Sequence, residues 1–118
     1  MKYFRYTLDD LEKSSQKKLF NYITFFAGGG GSSCGYKLVG GDCLFVNEFQ
    51  KIAMDTYLEN WPTTPHYICD DIKNVTGKQI MEMTGLKVGE LDLLDASPPC
   101  PPFSVAGTKQ KGWGKEKT

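Results

Sequence analysis

Tyr22-Ile-Thr-Phe-Phe26 runs without a break into Ala27 and four glycines, Gly28-Gly29-Gly30-Gly31, followed by Ser32-Ser33. β-Branched and aromatic residues suit a half-buried pleated strand. Glycines admit positive φ and let a second group approach the backbone where a Cβ would otherwise stand. A strand emptying into such a turn, with a short helical stretch after it closed by Gly40-Gly41, is the opening of a strand–helix–strand unit.

The rest of the chain repeats that alternation. Thr7 with Asp10 three residues on marks a helix start, and Leu8, Leu11 and Leu19-Phe20 carry its apolar face to a predicted end near Phe20. Tyr22–Phe26 is the first strand and Leu44–Asn47 the second, closed by Glu48. Phe49–Asn60 has helical spacing (Ile52, Ala53, Tyr57, Leu58) and stops before Pro62 and Pro65. His66–Cys69 reads as a third strand, Gly77–Thr84 as a helix stopped by Gly85, and Leu91–Ala96 as a fourth strand. The expected fold class is α/β, a partial doubly wound parallel sheet of about four strands with helices on both faces. Residues 1–21 form a helical extension to it, 22–107 the α/β unit, and 108–118 a basic Gly/Lys tail.

In open α/β sheets ligands bind beyond the carboxyl ends of the strands, where strand order reverses. The glycine turn stands at such an end. Glu48 follows Gly28 by 20 positions, the spacing at which an acid takes the hydroxyls of a ribose. Together they predict a nucleoside-containing cofactor. A strict G-x-G-x-x-G is absent, since Gly28-x-Gly30 is followed by Ser33, so a nucleotide- or NAD-binding module without catalysis stays open.

A second constellation follows the fourth strand. Cys100 lies between Pro98-Pro99 and Pro101-Pro102. Proline fixes its own φ and drives the residue before it into extended geometry, so a thiol here is presented on a stiff segment. Preorganisation of that kind favours a nucleophile; the same prolines would also suit a polyproline-type ligand for a partner domain. Cys34, Cys43 and Cys69 form no C-x-x-C pair, and Cys43 and Cys69 sit in apolar runs where cysteine acts as a small hydrophobe. His66-x-x-Cys69 lacks a second ligand pair, so no metal site is expected.

Fourteen basic and fourteen acidic side chains cancel, but unevenly. Residues 108–118 hold four Lys and one Glu, the remainder ten basic and thirteen acidic residues, so formal neutrality does not exclude a nucleic-acid partner. The N-terminus lacks the apolar stretch of a signal peptide and no run reaches the roughly 20 residues of a membrane span. A soluble intracellular domain with no membrane partner is expected.

In combination these blocks resemble the DNA (cytosine-5) methyltransferase family, over nearly all of residues 22–114. Phe26-Ala27-Gly28-Gly29-Gly30-Gly31 resembles its S-adenosylmethionine loop, F-A-G-x-G-G. Asn47-Glu48-Phe49 resembles the block whose Glu holds the ribose and whose aromatic packs on adenine. Asp71-Ile72 resembles the acid–aliphatic pair at the adenine, and Pro99-Cys100-Pro101-Pro102-Phe103-Ser104 the nucleophile block P-C-Q-x-F-S. The tail is similar to the mobile loop that closes over DNA, which implies phosphate contacts for Lys109, Lys111 and Lys115 and a DNA-facing Ser104.

The resemblance implies methyl transfer from S-adenosyl-L-methionine to C5 of cytosine in DNA, through addition of the Cys100 thiolate to C6 of a flipped base. It implies a restriction–modification type of enzyme, cytoplasmic in a prokaryote or phage and nuclear in a eukaryote. Three positions depart from the family pattern. Thr24 stands where an acid is usual, Pro101 replaces Gln, and Ser97 replaces Gly. The E-N-V block, the Arg block and the target-recognition region are not among these 118 residues. The expectation is a fragment that is inactive or weak alone and open to a second chain carrying those blocks.

Overall fold

The computed structural model describes residues 5–98, in the order α1 (Leu8–Ser15), β1 (Phe20–Phe25), α2 (Gly31–Leu38), β2 (Gly41–Asn47), α3 (Lys51–Asn60), β3 (Tyr67–Ile68), a 3-10 turn (Ile72–Asn74), α4 (Gly77–Thr84) and β4 (Leu93–Ala96). The four strands make one sheet in the order β3-β2-β1-β4, and every neighbouring pair is parallel. No helix among the described residues is long and apolar enough to cross a membrane.

Two helices begin on reciprocal caps. The Thr7 hydroxyl accepts from the Asp10 N–H while the Asp10 carboxylate accepts from the Thr7 N–H, and Thr76 and Gln79 do the same at α4. α1 ends at Ser15, not near Phe20. The chain reverses through Lys18 at φ 49°, and Phe20 already pairs with Gly41 in the sheet. Leu19 and Phe20, read from sequence as part of a helix face, instead lie against Gly40 and Gly41, where a Cβ would come within 2.9 and 2.7 Å of their side chains. β2 accordingly starts three residues earlier than expected, at Gly41, while β3 shrinks to Tyr67–Ile68 and β4 begins at Leu93.

The register of β1 against β2 slips between Tyr22 and Ile23, which face Cys43 and Phe45 respectively. Leu44 is the extra residue of this β-bulge, so Cys43 and Val46 share one face although three positions separate them. On that face Tyr22, Cys43 and Val46 pack with Leu11 of α1, Met54 and Tyr57 of α3, and Trp61. On the other, Ile23 and Phe45 pack with Ile80 of α4. Both faces are covered by helices, as a doubly wound sheet requires. Burial pushes the Cys43 thiol above its ordinary range, whereas Cys69, expected to act as a small hydrophobe, is exposed.

α1 is fastened to this layer by a nearly dry ion pair. Lys37 Nζ lies 3.1 Å from Glu12 Oε1, with only 5% of the lysine side chain exposed, and sits 4.7 Å from the Trp61 ring centroid. Thr63 Oγ1 donates to the other Glu12 oxygen at 2.8 Å. Removing the carboxylate leaves a buried ammonium without its counter-charge. Glu12→Ala is therefore expected to destabilise the fold by about 3 kcal/mol, read as a lowered midpoint in urea denaturation.

Candidate functional site

Chain order and sheet order part company at β1. The crossover through α2 places β2 on one side of it, and the later crossover through α4 places β4 on the other. A crevice opens at the carboxyl ends of strands on either side of such a reversal. The glycine turn lies at that end of β1, and Ala96-Ser97-Pro98 lies at that end of β4.

Phe26 is not the last residue of β1. It stands beyond the strand with φ 56°, a left-handed conformation that costs a bulky side chain roughly 1–2 kcal/mol. Ala27 N–H then donates to Asn47 O at 3.3 Å, and Gly28, at φ 58°, turns the chain again. Gly30 caps α2 at φ 98°, and its backbone carbonyl accepts from Cys34 N–H at 3.1 Å. A Cβ on Gly30 would stand 2.6 Å from Trp61 Nε1 and 3.0 Å from Tyr57 Cδ2, both side chains being fully buried. At Gly28 and Gly31 a Cβ would meet nothing within 4 Å. The turn is thus packed hard from below at Gly30 and open at Gly28 and Gly31.

Glu48 closes the turn from the side. It follows β2 directly and is only 9% exposed. Its Oε1 accepts from Gly28 N–H at 2.9 Å and its Oε2 from Gln50 N–H at 2.7 Å. A carboxylate offers about four lone-pair directions, so each oxygen keeps one for a further donor such as a hydroxyl. Phe49, the next residue, is 60% exposed beside a hollow of ≈ 510 Å³ that Met54, Leu58, Tyr67 and Cys69 also line.

Asn47 sews β2 to the segment after β3, its Nδ2 donating to the carbonyls of Ile68 and Asp70 at 3.0 Å each. Asp70 Oδ1 accepts from Asp71 N–H at 2.7 Å, and Asp71 Oδ1 in turn accepts from Lys73 N–H at 2.9 Å, capping the 3-10 turn that holds Ile72. Phe26, Ala27, Gly28, Gly30, Gly31, Glu48, Phe49, Asp71 and Ile72 therefore all fall on the carboxyl edge of the sheet. Pro99, Cys100, Ser104, Lys109, Lys111 and Lys115 lie outside the described residues.

Two residues at this edge, Tyr36 and Asp95, escape a reading by motif, and a third, Thr24, is marked by the motif only as a departure from it. Thr24, 1% exposed, pairs directly across the sheet with Asp95, and its hydroxyl donates to Asp95 Oδ2 at 2.8 Å. Tyr36 of α2 donates to Asp95 Oδ1 at 3.2 Å, and burial together with the Asp95 charge pushes its phenol upward. Only the β1–β4 register brings these groups together, and no local periodicity reveals it. A separate polar hollow of ≈ 420 Å³, lined by Glu12, Lys37, Asp42 and His66 among others, lies at the opposite, amino end of the strands.

The cradle fits a ligand that carries a vicinal diol. Glu48 has an acceptor to spare on each oxygen, and the backbone is open where a side chain at Gly28 or Gly31 would otherwise intrude.

Residues 20–118 match the model of a family described as C-5 cytosine-specific DNA methylase. The chain is 35% identical over 102 residues to a DNA-cytosine methyltransferase of Escherichia coli, covering 78% of this chain and 22% of that protein. To the Type II methyltransferase M.AgeI of Thalassovita gelatinovora it is 34% identical over 90 residues, 75% of this chain and 20% of the relative. To the Type II methyltransferase M.AquIA of a Picosynechococcus strain it is 34% identical over 94 residues, 80% of this chain and 36% of the relative. The chain thus spans between a fifth and somewhat over a third of the length of these relatives.

Proposed function

The chain belongs to the C-5 cytosine-specific DNA methylase family, and from that membership we propose that it binds S-adenosyl-L-methionine at the glycine turn and presents Cys100 to a cytosine of DNA. The observation that carries the reading is the Glu48 carboxylate. It is tied to the Gly28 and Gln50 N–H groups, buried at the switch point, and still able to accept from two hydroxyls. Phe26, Ala27, Gly28, Gly30 and Gly31 shape the cradle. Glu48 takes the ribose hydroxyls, Phe49 packs on the adenine, Asp71 accepts from its amino group, and Ile72 and Pro99 pack beside it.

When bound, the cofactor supplies an electrophilic methyl group. The protein's part is to activate the other reactant. Cytosine C5 is a weak carbon nucleophile; addition of the Cys100 thiolate at C6 opens the 5,6 double bond and makes C5 enamine-like. Once C5 is substituted its proton is lost and the thiolate is eliminated, restoring the double bond and the free thiol, so that one hard step becomes several easier ones. The base has to leave the duplex stack to reach the thiol. Ser104, Lys109, Lys111 and Lys115 then face the DNA, the lysines against phosphates.

Thermal denaturation with S-adenosylhomocysteine and with NAD tests the cofactor. At a ligand concentration of about 100 times Kd the midpoint should rise by the equivalent of ~2.7 kcal/mol with the former and stay unchanged with the latter. Stabilisation by NAD alone would favour the plain nucleotide-binding reading and end this one.

A second chain is part of the proposal. Beyond β4 the sheet has no further strand among the described residues, and exposed Met81, Val88 and Leu94 flank an apolar hollow of ≈ 250 Å³ beside it. Open strand edges with apolar surroundings favour pairing with another segment. The 118-residue chain alone is expected to leave duplex DNA unmethylated. Addition of a polypeptide carrying the E-N-V, Arg and target-recognition blocks is expected to restore methyl incorporation. Efficient transfer by the chain alone, or no stimulation on mixing, would refute this part.

A further inference from the structure

Asp95 joins three elements around the mouth of the site. Its two carboxylate oxygens accept from the hydroxyls of Thr24 on β1 and Tyr36 on α2, at 2.8 and 3.2 Å. Both donors are neutral, and among the described residues no lysine, arginine or histidine pairs with Asp95. Among these residues the half-buried carboxylate is thus held by hydroxyls, with no basic side chain against it. It also stands close to the reacting edge: β4 ends one residue later, at Ala96, and the partner Thr24 precedes Phe26 by two. Two strand residues span ~7 Å, a distance over which a charge in partly desolvated surroundings is still felt.

The methyl donor and its product differ in one property that such a charge can sense. S-Adenosylmethionine carries a positive sulfonium; after transfer the same sulfur is a neutral thioether. We infer that Asp95 is a positioning residue whose carboxylate, fixed by Thr24 and Tyr36, makes the site prefer the sulfonium donor over the thioether product. This rests on the cofactor reading above and sharpens it, because shape alone distinguishes the two molecules by a single methyl group. The arrangement also accounts for Thr24. The family block has an acid at that position; here the acid stands directly across the strand pair, and Thr24 supplies the hydroxyl that holds it.

Calorimetric titration of the 118-residue chain with each ligand tests the assignment without any need for turnover. Asp95→Asn keeps the shape and removes the charge. It is expected to weaken S-adenosylmethionine binding about tenfold while S-adenosylhomocysteine stays within twofold. Equal weakening of both ligands would mean that Asp95 only braces the strands, and no weakening of either would mean it is inert; each overturns the inference. Failure of the unaltered chain to bind either ligand strikes the cofactor reading itself and is thereby distinguished from both.

The exchange variant T24D/D95T moves the carboxylate across the same strand pair. It is expected to recover most of the donor preference lost in Asp95→Asn, as a thermal midpoint raised more by donor than by product. A folded exchange variant that treats donor and product alike would overturn the assignment.

Discussion

Replacing Gly30 by alanine is expected to lower the thermal midpoint by about 10–25 °C. Two costs add at this position. Gly30 holds φ 98°, where a Cβ clashes with its own backbone at roughly 1–2 kcal/mol. The new methyl would also stand 2.6 Å from Trp61 Nε1 and 3.0 Å from Tyr57 Cδ2. Neither ring has room to withdraw, since both are fully buried and Trp61 also lies against Lys37. Overpacking of this kind costs about 1–3 kcal/mol, and each kcal/mol shifts the midpoint of a domain this size by ~4–5 °C. The neighbouring residue supplies the contrast. Gly31 is the first residue of α2, has no left-handed φ, and would give a Cβ open space. Gly31→Ala is expected to be neutral or to stabilise by up to ~1 kcal/mol. Denaturation curves in which the two variants move together would show that the turn is a flexible linker and not a packed one.

Glu48→Ala is expected to weaken S-adenosylhomocysteine binding about 100-fold and to lower stability at the same time. Losing the side chain orphans the Gly28 and Gln50 N–H groups, now held at 2.9 and 2.7 Å, and removes the acceptors proposed for the ribose hydroxyls. Hydrogen bonds to a charged group contribute roughly 1.5–3 kcal/mol each, so one such contact with the ligand is enough for a loss of this size. Glu48→Gln separates the two roles. The amide retains one acceptor oxygen, and its NH₂ cannot accept from the other N–H. The expected loss is about tenfold in affinity with a smaller change in denaturation midpoint. Binding within twofold of the unaltered chain for both variants, measured by calorimetry, would remove Glu48 from the site.

The features legible in the sequence are those set by contacts a few residues long. α4 keeps its expected bounds, Gly77–Thr84, because Thr76 caps it and Gly85 ends it at φ 76°. Glu48 also falls where its spacing from Gly28 points, because a strand–turn–helix–strand unit has a nearly fixed span. The end of α1 is different. Leu19 and Phe20 continue an apolar pattern, yet the chain reverses at Lys18 and only Phe20 enters the sheet, with the two side chains lying over the bare backbone of Gly40 and Gly41. Position 26 could be recognised as part of the turn by its neighbours, but not that a phenylalanine would adopt positive φ there. The bulge at Leu44 and the meeting of Thr24 with Asp95 depend on register between strands. Register is decided by the packed sheet as a whole, which no short window contains.

That same register governs how the molecule comes together in time. β1, α2 and β2 are contiguous, so their pairing closes a short loop. β4 pairs with β1 across a separation of 71 residues, as the Thr24–Asp95 contact shows. Bringing distant ends together carries an entropic cost that is met before any contact repays it, and long-range parallel pairing is accordingly slow. Asn21 is placed to catch β4 when it arrives. Its side chain accepts from Asp92 N–H at 2.7 Å and donates to Glu90 O at 3.0 Å, and its own N–H donates to Asp92 Oδ2 at 2.9 Å. The cradle at the glycine turn can therefore take shape while the chain is still incomplete. The strand that leads to Cys100 closes the longest loop in the sheet and is expected to dock last.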